Sequence, residues 1–264
     1  MRKYIGLENY DDASSLLFES SEIDGIIIGD PFCSHKMFRY GESDMLDYAH
    51  TICLANKEVI YQTPVYITSR NFNSVTSLIA YFHDKCQVKK YLVQDVGLVC
   101  WIRERYTDVD LIWSHWGRNR NSLMNHNFID FLICLGIAGI ETDIPERIQK
   151  ICKAGLPVYA VYGNTVYNTL SRECYNSYML NRFDSTCQRE CLHDKMSLCN
   201  QNFSMTIDGH ILGKKIRYPD SEAFSKAAMD NSENIIIYAS NYQMAINALK
   251  RLDVGLSNQR KVCN

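Results

Sequence analysis

The stretch RECYNSYMLNRFDSTCQREC, Arg172 to Cys191, holds three thiols: Cys174, then twelve residues to Cys187, then three to Cys191. Around them stand Asn, Ser, Arg and Asp, with little apolar content to bury them. Cysteine outside a disulfide behaves as a small hydrophobe and prefers the interior. Thiols gathered in a polar segment therefore point to chemistry done by sulfur. Two metal chemistries compete. Structural zinc takes short-spaced pairs, commonly C-x2-C twice, and CQREC offers half of such a site at a spacing of three. Iron–sulfur clusters are held by Cys thiolates, four for a 4Fe–4S cube, at variable spacing. Either metal needs a fourth ligand. GDPFCSHK supplies one as Cys33, far away in sequence. Spacing alone points to a metal and leaves zinc and iron–sulfur open.

Distant thiols meet only if the fold brings them together. The chain reads as strand, then helix, repeated. Candidate strands begin at Lys3 (KYIGLE), Gly25 (GIIIGD), Ile60 (IYQTPVYIT), Tyr91 (YLVQD), Asp110 (DLIWS), Gly136 (GIAGIE), Pro157 (PVYAVYG) and Asn234 (NIIIYAS). Several are short continuous apolar runs, as expected of parallel strands buried on both faces. Helical stripes lie between most of them. SDMLDYAHTICLANK aligns Met45, Leu46, Ala49, Ile52 and Cys53, with Ser43 as the cap. PERIQKICKAG opens on Pro145 and stops at Gly155, and YQMAINALKRLDVG is expected to stop at Gly255.

Eight strands alternating with helices predict a (β/α)8 barrel, one domain over 1–264. The absence of a glycine fingerprint at the first strand-to-helix turn argues against an open doubly wound sheet. Between the seventh and eighth strands lie about 70 residues, 164–233, which include Cys174, Cys187, Cys191 and Cys199. A structureless loop of that length is improbable in a compact domain, so this cysteine-rich insertion must carry structure of its own. The segments after strands two and seven leave the same C-terminal face of a barrel. Cys33 and the insertion cysteines can therefore converge there.

Composition narrows the class. With 46% hydrophobic and 22% charged residues the chain has a globular composition, and a net charge of -2 gives no sign of a dedicated nucleic-acid surface. No run reaches the roughly 18 apolar residues of a membrane span. The N-terminus, MRKYIGLENYDD, lacks a signal-peptide core, and a cytoplasmic location is expected. Eleven cysteines, an odd number, argue against a disulfide framework in a reducing compartment. Cys53, Cys86, Cys100, Cys134, Cys152 and Cys263 read as small core residues or ordinary thiols.

The arrangement resembles the collagenase-like U32 peptidase family, in which Arg-x-Cys-Tyr opens a cysteine-rich segment after a barrel strand. It is most similar to the UbiV branch, accessory proteins of oxygen-independent ubiquinone hydroxylation. GDPFCS matches that branch's Gly-x-x-x-Cys-Ser turn, Tyr162-Gly163 its Tyr-Gly, and VQDVG (Val93 to Gly97) its Gln-Asp-x-Gly. The resemblance spans about residues 1–255. It implies a 4Fe–4S cluster on Cys33, Cys174, Cys187 and Cys191, in preference to zinc, and a heterodimer with a second family member. Cys199 has no counterpart in the pattern and is a spare thiol or an alternative ligand.

Substrate-site candidates follow from position, at the C-terminal ends of strands: Asn9, Asp30, Thr68, Arg70, His115 and, above all, Asp95, Glu141 and Tyr162. The expected function is support of an oxygen-independent hydroxylation or related redox step. The alternatives are a peptidase, or a scaffold subunit whose cluster only folds the insertion. The chain contains no His-Glu-x-x-His and no Gly-x-Ser-x-Gly, which weighs against proteolysis.

Overall fold

A computed structural model describes residues 1–7, 15–33, 49, 51–52, 55–69, 71–114, 125–166, 169–170, 174–175, 197–199, 204–208, 211–212, 215–219, 224, 226–228 and 231–262. Eight parallel strands close into a barrel, each element following the last as the sequence pattern requires. They are β1 (Arg2–Leu7), β2 (Gly25–Gly29), β3 (Glu58–Gln62), β4 (Lys90–Val93), β5 (Asp110–Trp113), β6 (Gly139–Thr142), β7 (Val158–Tyr162) and, last in the chain, β14 (Asn234–Ala239). β1 closes the ring by pairing with β14 from Arg2↔Asn234 to Leu7↔Ala239. Outside it run α1 (Ser15–Glu19), α2 (Phe72–Cys86), α3 (Val96–Arg105), α4 (His126–Cys134), α5 (Pro145–Lys153) and α6 (Tyr242–Val262). No helix among the described residues is long and apolar enough to cross a membrane.

Strand side chains alternate between two cores, because successive residues point to opposite faces. Ile27, Ile60, Leu92, Ile112, Val161 and Ile236 fill the barrel interior. Ile26, Ile28, Leu111, Ala160, Ile235 and Ile237 face the helices. Both faces are dry, which is why the strands read as continuous apolar runs. At the N-terminal end of the barrel Glu58 accepts hydrogen bonds from Tyr4 Oη at 2.7 Å and Lys90 Nζ at 3.0 Å.

Three boundaries differ from the sequence reading. β3 stops at Gln62 rather than running to Thr68, because Pro64 has no N–H for the ladder. Past Pro64, Val65 N still donates to Pro31 O at 2.6 Å, keeping the β2–β3 register beyond the regular strand. β6 starts at Gly139, not Gly136. The end of α4 takes up the intervening residues, with Gly136 N bonded to Ile133 O and Ile137 N to Leu132 O. α6 runs on to Val262 through Gly255. One glycine costs a helix only about 1 kcal/mol relative to alanine, and Leu256, Gln259, Arg260 and Lys261 beyond it are good helix formers. Of the helix predicted over 43–57, most residues lie outside the described set, although Ala49 and Ile52 are buried as expected.

Between β7 and β14 the described residues form six short strands: β8 (Asn164–Val166), β9 (Thr169–Leu170), β10 (Ser197–Cys199), β11 (Ser204–Asp208), β12 (Ile211–Leu212) and β13 (Lys215–Arg217). They make a four-stranded sheet, β10-β11-β12-β9, and a pair, β13-β8.

Four buried tyrosines give the fold a defined alkaline limit. Burial raises the phenols of Tyr4, Tyr61, Tyr91 and Tyr159 above their ordinary value of 10, with the Glu58 carboxylate adding to the effect on Tyr4. Above that pH the unfolded chain has released protons that the native chain still holds, so stability falls as pH rises. Full stability is expected below pH 10, and above it the last step of tyrosinate absorbance, from the buried phenols, should coincide with unfolding by circular dichroism. Ionisation of all 17 tyrosines well ahead of unfolding would contradict this.

Candidate functional site at the barrel mouth

Toward the C-terminal end of the interior, polar side chains replace the aliphatic ones. Ile60, Ile112 and Ile236 point inward, and two residues further on each strand places Gln62, Ser114 and Tyr238 on the same face. Glu141 joins them from β6. Gln62, Ser114 and Glu141 are essentially inaccessible and Tyr238 is buried.

The four form one hydrogen-bonded cage. Ser114 Oγ donates to Glu141 Oε2 at 2.8 Å, and Tyr238 Oη donates to Glu141 Oε1 at 2.7 Å. Gln62 Oε1 lies 3.3 Å from the Tyr238 hydroxyl, and Gln62 Nε2 donates to Thr63 O at 3.1 Å. A carboxylate taken out of water is costly unless donors meet it. Here two hydroxyls from β14 and the end of β5 hold both of its oxygens. Such a group can accept, hold or return a proton without competition from solvent.

Phe32 shares the interior cluster with Tyr238 of the cage. It is 3% exposed, with Val65 and Tyr66 packed against the same cluster. The turn that carries it begins at Gly29, at φ +117, and is held by Asp30 Oδ1, which accepts from the backbone N–H of Phe32 at 2.7 Å and of Cys33 at 2.8 Å. On the other side of the mouth, Tyr218 from the segment after β13 lays its ring against Gly163. Tyr218 Oη donates to Tyr238 O at 3.1 Å.

The sequence candidates are distributed as follows. Glu141 is the centre of the cage. Asp95 caps α3, accepting from Leu98 N at 2.8 Å. Tyr162 packs outside the barrel against Tyr218 and Phe224, with ring centroids 5.5 and 5.1 Å away. Asp30 shapes the Cys33 turn, and Thr68 is tied to Asn71, its backbone N–H 2.6 Å from Asn71 Oδ1. Asn9, Arg70 and His115 lie outside the described residues. Gln62, Ser114 and Tyr238 were absent from the sequence list. Their signal was a polar or hydroxyl side chain in phase with the inward isoleucines.

Of the four expected metal ligands, Cys33 and Cys174 are both buried, and Cys187 and Cys191 lie outside the described residues. Among the described residues no three His, Cys, Asp or Glu side chains come together as a metal site. Cys199 pairs through its backbone with Ser204. Cys86 is buried as expected of a core thiol, whereas Cys100, Cys134 and Cys152 are exposed on α3, α4 and α5.

No protein-family model matches the chain, and no curated protein does. Solved structures share its fold. A U32 peptidase is 13% identical, with 92% of this chain and 94% of that one aligned at a TM-score of 0.54. Orotidine 5'-monophosphate decarboxylase from Metallosphaera sedula is 12% identical over 97% and 98%, also at 0.54. Tryptophan synthase from M. tuberculosis is 11% identical over 96% and 88%, at 0.50. At these identities the likeness is one of fold: a TIM-type barrel, U32-peptidase-like among others.

Proposed function

We propose that the chain is an iron–sulfur protein of the U32 peptidase-like family, closest to its UbiV branch, serving an oxygen-independent hydroxylation or related redox biosynthetic step beside a second subunit of that family. The observation that carries this reading is the cysteine pattern, Cys33 with Cys174, Cys187 and Cys191, on a chain whose barrel sends the segments after β2 and β7 out of one end. The burial of Cys33 and Cys174 supports it, since shielded thiols suit ligation better than exposed ones. When bound, a 4Fe–4S cluster with four thiolate ligands supplies single electrons and leaves no iron open to substrate. The chain's own part is then to hold the four thiolates and exclude water at the mouth with Phe32. Glu141 keeps a carboxylate ready to exchange a proton with a substrate docked there.

The likeness to a U32 peptidase does not favour proteolysis, because a decarboxylase is equally similar in fold. The test is a pair. A second U32-type chain, co-expressed, should co-purify with this one and support hydroxylation. Cys174→Ala should abolish that activity. Glu141→Gln should abolish it too while retaining its iron, and a generic peptide should stay uncut throughout. Full activity from a cluster-free Cys174→Ala pair rejects the redox role and leaves a scaffold. Metal-independent peptide cleavage by the isolated chain establishes a peptidase instead.

A further inference from the structure

Gln94 is the residue of VQDVG to which neither the α3 cap nor the cage gives a role. Val93 before it belongs to the outer core and Leu92 to the barrel interior. The pleat therefore turns Gln94 inward, in phase with Leu92. The β4–β5 register, Val93↔Trp113, continues past the regular strands, where Ser114 N donates to Val93 O at 2.8 Å. Gln94 thus stands beside Ser114. Its strand lies between those of Gln62 and Ser114, whose side chains approach to 3.5 Å. Four consecutive strands, β3 to β6, end inward in Gln62, Gln94, Ser114 and Glu141. Gln94 Oε1 is shielded from solvent, yet among the described residues no donor meets it. Such an acceptor has given up its bond to water and gained none from the protein.

We propose that the barrel mouth binds its small-molecule substrate through a group that donates a hydrogen bond, N–H or O–H, to Gln94 Oε1. This deepens the reading of the cage as the place where substrate docks, and rests on it. A group that can only accept is refused, because it leaves the amide oxygen buried and unmatched. An anion is refused further by the Glu141 carboxylate one strand beyond Ser114. Phe32, Val65 and Tyr66 in the interior cluster supply the apolar company expected around a few aimed polar groups.

The experiment is a calorimetric titration of anaerobically purified protein with three probes of one size: benzamide, benzyl alcohol and benzoate. Benzamide or benzyl alcohol should bind at least roughly 10-fold more tightly than benzoate, and Gln94→Leu should weaken the better of them about 10-fold. Binding of benzamide alone assigns an N–H donor, and of benzyl alcohol alone an O–H donor. Equal or tighter binding of benzoate, no binding of either donor, or unchanged binding to Gln94→Leu overturns the proposal. The denaturant midpoint of Gln94→Leu should be no lower than that of wild type, since the change removes an acceptor the fold leaves unmatched. Gln94→Met is the second variant, for the case that leucine does not fit. A lowered midpoint in both shows that the fold itself holds the side chain, and overturns the proposal. Glu141→Gln keeps the two ideas apart. Loss of hydroxylation in that variant with no donor preference in wild type sinks only the assignment of Gln94. Full hydroxylation by Glu141→Gln sinks the cage as the reacting site.

Discussion

Single replacement of Cys33, Cys174, Cys187 or Cys191 by alanine should remove most of the bound iron, while Cys199→Ala should leave it in place. A cube with four thiolate ligands loses a quarter of its protein bonds with each substitution, and no spare donor is expected to fill the gap. In the proposed cluster the thiolate–metal bonds would also tie distant parts of the chain together, so metal loss should carry a folding cost as well. The expected effect is close to all-or-none. Iron per chain, measured on each variant after anaerobic purification, checks it. Loss on Cys199→Ala with retention on Cys187→Ala or Cys191→Ala would reassign the ligand set within the insertion.

The largest expected effect on the fold itself comes from Gly29→Ala. Gly29 sits at φ +117, where a side chain is strained, and a Cβ built there would lie 2.3 Å from Gln62 O and 3.1 Å from its carbonyl carbon. That carbonyl belongs to the neighbouring strand, in register with Gly29 itself. It cannot move away without breaking the β2–β3 pairing. Backbone strain of about 1–3 kcal/mol and overpacking of about 1–3 kcal/mol combine to roughly 2–6 kcal/mol. The damage falls on Gln62, a cage member, and on the turn that carries Phe32 and Cys33. Denaturant unfolding should show the loss, and a midpoint within error of wild type would contradict the close approach.

The barrel was legible because its strands obey one rule eight times. Runs such as GIIIGD and NIIIYAS are apolar on both faces, which only a doubly covered parallel sheet accepts. Strand ends were less legible, because they depend on partners distant in sequence. Nothing local in IYQTPVYIT says that the regular strand stops at Gln62 while Val65 still bonds to Pro31 beside it. Glu141 was legible by position as a polar residue ending an inward-facing run. Its partners were not, because Ser114 and Tyr238 acquire meaning only when barrel closure brings β5, β6 and β14 to one point. Asp95 and Tyr162 satisfied the same positional rule, yet one turned to a helix cap and the other to the outer core. Strand-end position selects residues near the mouth; the direction of each side chain depends on the pleat and on local hydrogen bonds.

The proposed redox role depends on the metal, and the direct measurement is iron and acid-labile sulfide on wild-type protein purified without oxygen. The protein should be brown, hold about four irons and four sulfides per chain, and accept an electron from dithionite without falling apart. A colourless protein carrying one tightly bound zinc would contradict that role.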